Sequence, residues 1–283
     1  MEPRPIVRRP AIMRLHLLPA IAALCSAAAF AQPPQPDAVE LFLRSARAEK
    51  ANSEKANQYA YREYRVTREI DKNGKESNRQ TETWDVIGLE GSTYRKLILR
   101  NDQPLDAKEQ KREDQRLAEE TARRKGQKRR KGLFSFTFNY GVQSLPPERT
   151  VALFDLQFKG EEEVDGRAAY VVEATPKANA HPANANEKEN LNYRLKMWID
   201  REDQVRSRGE SEVIGEHSRM QKGSVIEAIN ARNEAGVWLP KETGFRFNLK
   251  ILKMGNVRGD LRLTFSDYMK FQVDSQVVGQ PAP

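Results

Sequence analysis

The sequence predicts a mainly β (α+β) protein, a strongly curved antiparallel sheet or incomplete β-barrel covered by helices. Two patterns lead there. Apolar and polar residues alternate with period two in segment after segment, which gives each strand one wet and one buried face. An amphipathic helical pattern at residues 37–55 is the obvious element to cover the buried face. About ten strands in one sheet must curl, because strands twist. A β-sandwich is the other way to bury such a surface.

The chain begins with Arg4, Arg8, Arg9 and Arg14, then an apolar run at 15–30 that closes on Ala29-Phe30-Ala31. This is the layout of a cleavable secretory signal, with the cut expected after Ala31 and a periplasmic destination. The run is short for a membrane span of roughly 20 residues. Cys25, the single cysteine, lies inside this signal and follows Leu24 rather than the small residue an acylation site needs. The exported chain is therefore expected to lack disulfides, thiolate catalysis and cysteine-held metal. Removing four arginines and one glutamate with the signal lowers the net charge from +8 to +5.

Residues 32–36 (QPPQP) form a spacer that neither helix nor sheet accommodates. Asp37 offers an N-cap to helix 37–55, whose Val39, Leu41, Phe42, Ala46 and Ala48 fall largely on one face. A three-strand meander follows at 58–70, 81–89 and 92–100, with Asp71-Lys72-Asn73-Gly74 and Glu90-Gly91 as turns. Residues 105–131 break the pattern as a charged helical excursion, expected to project from the fold or cover it loosely. From Asp106 to Lys131 there are eleven basic and six acidic residues, so the positive charge is a local patch. Its basic residues are Arg123, Arg124, Lys125, Lys128, Arg129, Arg130 and Lys131.

Alternation then resumes. Phe134, Phe136, Phe138 and Tyr140 share one face, as do Phe154, Leu156 and Phe158. The same holds for Tyr193, Leu195, Met197 and Ile199, for Phe245, Phe247, Leu249 and Ile251, and for Leu261, Leu263 and Phe265. Asp165-Gly166, 233–236 and 255–259 read as turns, 176–190 as a long polar loop, and 276–283 as a flexible tail. Residues 37–275 are expected to form one domain.

No catalytic constellation emerges. His181 and His217 lie apart in polar stretches, with no nucleophile elbow near either. The acidic turn 161–166 lacks the alternating ligand spacing of a calcium loop, and phosphate-binding glycine loops are absent. No metal, cofactor or enzymatic activity is expected. Nucleic acid is not expected as a partner either, since no aromatics interleave with the basic run. An anionic membrane surface fits that run better, at about 1 kcal/mol per basic residue.

Two short motifs, 195–200 (LKMWID) and 237–241 (VWLPK), together with the order of helix, meander and helical excursion, resemble the outer-membrane lipoprotein-sorting and carrier (LolA-like) superfamily. The resemblance spans roughly 37–271. It implies an incomplete barrel with a helical lid, whose concave apolar surface takes up the acyl chains of lipids or lipoproteins. Carried onto this chain, that surface is Phe154, Leu156, Phe158, Leu195, Met197, Phe245 and Phe247. The excursion 105–131 departs from the family's apolar lid. A rival reading is an envelope scaffold with a filled core, docking through that basic helix.

Overall fold

A computed structural model describes residues 35–90, 92–125, 145–216, 220–251 and 255–270. The signal, most of the spacer, the tail, His217 and the alternating run Phe134–Tyr140 lie outside the described residues, as do Lys128, Arg129, Arg130 and Lys131.

Helix α1 (Ala38–Ala56) starts where Asp37 Oδ1 accepts from the Val39 and Glu40 amides at 2.8 and 3.2 Å, so two of the first turn's orphan donors are met. Strands β1 (Tyr59–Ile70), β2 (Glu76–Leu89), β3 (Ser92–Arg100) and the two-residue β4 (Gln103–Pro104) follow. Then come α2 (Ala107–Arg124) and the short α3 (Pro147–Leu153). The rest is β5 (Phe154–Val164), β6 (Arg167–Pro176), α4 (Ala185–Asn190), β7 (Tyr193–Asp200), β8 (Arg206–Val213), β9 (Val225–Arg232), β10 (Trp238–Ile251) and β11 (Gly255–Lys270).

Among the described residues, eleven strands join one antiparallel sheet in the order β4-β3-β2-β1-β11-β10-β9-β8-β7-β6-β5. Each strand pairs with its neighbour in sequence except at one place, where β1 pairs with β11. The first and the last of these strands thus meet near the middle of the sheet. The free edges, β4 and β5, are consecutive in sequence, and the segment carrying α2 and α3 connects them. The sheet is mainly antiparallel β with a few helices and is not closed into a barrel.

Register fixes which residues share a face, because directly opposed residues of antiparallel strands point the same way. Leu156–Ala174–Leu195–Ser211–Ile226–Phe245–Leu261–Thr67 is one such row across β5 to β1. This is the inner face, on which α1 lies. Leu41 and Phe42 of α1 pack there with Leu153, Phe154, Val172, Ala174, Met197 and Ile199. At the helix's other end Asn52 imitates a strand neighbour. Its Nδ2 donates to the Trp238 carbonyl at 2.7 Å, and its Oδ1 accepts from the Trp238 amide at 2.9 Å.

Four expectations change. Gly255 and Gly259 are not a turn but belong to β11, where Gly259 sits opposite Phe247. A Cβ at 259 would come within 2.6 Å of Phe247 Cζ, so the aromatic ring needs this glycine beneath it. The polar loop 176–190 contains helix α4, which Asn184 caps and which buried Glu187 anchors to Arg149 through bonds of 2.9 and 2.6 Å. Strand β2 begins at Glu76, five residues early, because its polar start pairs with the end of β1. Finally, α2 does not project. It lies along the part of β3 that the two-residue β4 leaves uncovered and fastens to it through polar groups.

Candidate functional site

The seven residues proposed for the apolar surface divide into two groups. Phe154 and Met197 are buried in the core beneath α1, and Leu156, Phe158 and Leu195 are half-buried against it. These five come together, but as packing partners of the helix: this half of the inner face is filled. Phe245 and Phe247 share the face yet stand elsewhere, with ring centroids 5.3 Å apart and both half-buried. Between the groups, β8 presents Gly209 and Ser211, both buried, and Arg206 pairs there with Glu49 of α1 at 3.0 Å.

The second group belongs to a wider stripe. Register places Ile226, Phe245, Phe247, Leu261, Leu263, Phe265 and Tyr61 on the inner face of β9, β10, β11 and β1. All seven are half-buried rather than buried. Tyr61 meets Phe265 edge-on at 5.7 Å, and its phenol is pushed up to about 12 by burial, with the Glu63 carboxylate adding to the effect. Period two identified the apolar β10 and β11 members of this stripe. It did not distinguish them from the filled half, since both halves have the same pattern.

Beyond the stripe the inner face turns ionic. Glu63, 5% exposed, is opposed by Phe265 on one side and Trp84 on the other. Its Oε1 accepts from Arg95 and lies 3.5 Å from Arg65 Nη2. Arg65 also approaches Glu82 at 3.8 Å. The Arg95 guanidinium stacks over Trp84 at 4.9 Å, with Arg116 of α2 at 5.8 Å from the same ring. Sequence reasoning did not single out Glu63, Arg65 or Arg95, and only the pairing registers put them on the apolar side.

The basic patch changes character. Arg123 is exposed and paired with Glu120, and Lys125 is exposed. Arg124, with a side chain only 15% exposed, is a structural residue. It pairs with Glu120 and donates to the carbonyls of Leu89 and Thr93 at 3.0 and 3.1 Å. These two arginines hold the Glu120 carboxyl down at about 2. Arg116 likewise donates to the Arg95 carbonyl at 2.5 Å, and Tyr94 donates to the buried Glu113 at 2.9 Å. Guanidiniums of α2 therefore occupy carbonyls along an edge that another strand could otherwise claim.

A polar cleft of about 460 Å³ opens beside the β7–β8 turn, lined by Arg167, Tyr170, Asp200, Arg201 and Glu202 among others. Asp200, 1% exposed, takes two bonds from Arg167 at 2.7 and 2.9 Å, and accepts from the amides of Glu202 and Asp203 at 3.0 and 2.8 Å. Burial alone would raise this carboxyl, but Arg167 and the two amides outweigh burial and hold it below the usual range. Arg167 lies over Trp238, whose indole donates to Asp203 at 2.9 Å. The motifs 195–200 and 237–241 thus meet at one turn. Among the described residues no cluster of His, Cys, Asp and Glu could hold a metal, and no helix is long and apolar enough to cross a membrane.

Neither a protein-family model nor a curated protein sequence matches the chain. Similar solved structures include a domain named for outer membrane lipoprotein sorting from Vibrio parahaemolyticus, 13% identical, covering 85% of this chain and 94% of its own, with a TM-score of 0.42. A LolA superfamily protein from Nitrosomonas europaea is 12% identical over 79% of this chain and 94% of its own, TM-score 0.32. The Mycobacterium tuberculosis lipoprotein LppX is 12% identical over 85% of this chain and 99% of its own, TM-score 0.30. Of these three similar structures, one is named for lipoprotein sorting and one for the LolA superfamily.

Proposed function

We propose that this is a non-enzymatic binding protein of the bacterial periplasm that shelters an apolar chain, the acyl chain of a lipid or lipoprotein, on the inner face of β9, β10, β11 and β1. The observation that carries the reading is the half-buried stripe from Ile226 through Phe245 and Phe247 to Phe265. Phe154, Met197 and Ile199 pack fully under α1 in the other half of the same face, so partial burial along the whole of this stripe leaves apolar area for a ligand. Each methylene moved from water onto such a surface contributes about 0.8 kcal/mol. The amino-terminal export signal supports the compartment.

Native mass spectrometry of protein taken from the periplasm should reveal co-purifying lipid. In vitro, a neutral apolar fluorophore such as N-phenyl-1-naphthylamine should bind, and Phe245→Ala should weaken it about tenfold, the equivalent of roughly 1.4 kcal/mol for one half-exposed ring. Absence of both lipid and probe binding refutes the reading. The filled half under α1 favours the second reading, an envelope scaffold, which that outcome would leave standing.

A further inference from the structure

Resting on that reading, we propose that the ligand is an amphiphile with an anionic oxygen head, and that Arg65 and Arg95 receive the head while the apolar stripe holds its chain. The two guanidiniums sit on the same face as the stripe and directly beside it. Arg65 is opposed by Leu263 and Glu63 by Phe265, so a chain lying over Phe245 and Leu261 ends at these arginines.

Donors outnumber acceptors there. Both arginines turn to one oxygen of Glu63, and the second carboxylate within reach of Arg65, that of Glu82, stands at 3.8 Å. The Nε atoms of Arg65 and Arg95 are both buried and have no hydrogen-bond partner among the described residues. A guanidinium carries five N–H donors in a planar fork that matches carboxylate and phosphate oxygens. Buried donors without acceptors are uncommon in folded proteins and call for an explanation. A bound anion with two or three oxygens supplies one. The Nε atoms themselves have no exposed surface, so an anion reaches them only with a shift of the two side chains, which are 30% and 40% exposed. Trp84 fixes the plane of Arg95 by stacking, so the fork is oriented before any ligand arrives.

A carboxylate head and a phosphate head share this chemistry, and titration separates them. Oleate, oleoyl lysophosphatidic acid and oleyl alcohol have the same chain and differ in the head. At least one of the two anions should bind ten or more times tighter than the alcohol, and the tighter one names the head. Removing only Arg95 would leave buried Glu63 short of a partner, so the variant is the charge-balanced Glu63→Gln/Arg95→Gln. It should cut the anion's advantage below threefold while the alcohol's affinity stays within twofold. Glu63→Gln alone, which frees both guanidiniums, should strengthen anion binding. Equal binding of anions and alcohol overturns the anionic head and leaves the apolar site intact. An advantage that survives the double substitution, in which Arg65 remains, overturns the assignment to Arg95. If none of the three ligands binds, the carrier reading itself fails.

Discussion

Replacing Asp200 with asparagine keeps the shape of the side chain and removes its charge. The carboxylate accepts four hydrogen bonds, two from Arg167 and two from the amides of Glu202 and Asp203, at 2.7 to 3.0 Å. Hydrogen bonds to a charged group contribute about 1.5 to 3 kcal/mol each. The amide oxygen of asparagine retains part of the set, and Arg167, 30% exposed, keeps Glu202 at 3.0 Å and Asp203 at 3.5 Å. Solvent screening at that exposure discounts the arginine's share. The expected loss is therefore about 3 kcal/mol, which for a unit of this size lowers Tm by roughly 6 to 12 °C. The sign with pH follows from the depressed carboxyl. Its stabilisation is complete above the unfolded value of about 3.9 and is lost as pH falls through the lower folded value. Urea unfolding of both proteins, from pH 7 down to the lowest pH at which both fold, should show a gap that narrows with acid at constant m. A gap under about 1 kcal/mol at pH 7, or one that widens with acid, refutes the account of this turn.

Leu41 is completely buried against Phe154, Val172 and Met197, so Leu41→Ala should cost about 2 to 5 kcal/mol in denaturant unfolding; a loss under 1 kcal/mol would mean that α1 does not close this half of the core. Arg116→Ala/Arg124→Ala strips the edge of β3 of its side-chain donors. Amide exchange across 93–97 should then rise at least tenfold and the protein should self-associate in sedimentation, whereas unchanged exchange would show that α2 does not guard the edge.

Some of this molecule was written locally. Asp37 caps α1 with its own following amides, and Asp71 closes the β1–β2 turn on Asn73 and Lys75; such bonds span two to four residues and are legible wherever the residue types occur. Alternation at 154–158, 193–199, 245–251 and 261–265 located strands and named the buried parity, because side chains in a strand have a period of two whatever it pairs with. Strand β8 was harder to read, since its inner face carries Gly209 and Ser211 rather than large apolar groups. Helix α4 was hidden because its anchor is Arg149, 38 residues away from Glu187.

By itself, then, the sequence determined the class of fold, the parity of its strands and the helix that covers them. Only the tertiary structure decided that β1 meets β11, which of two identically patterned halves α1 fills, and that Glu63, Arg65 and Arg95 share the apolar side. The physical reason is range. Local hydrogen bonds and strand periodicity are complete within a few residues, whereas the company a charged side chain keeps depends on pairing registers between segments as far apart as Arg68 and Asp260.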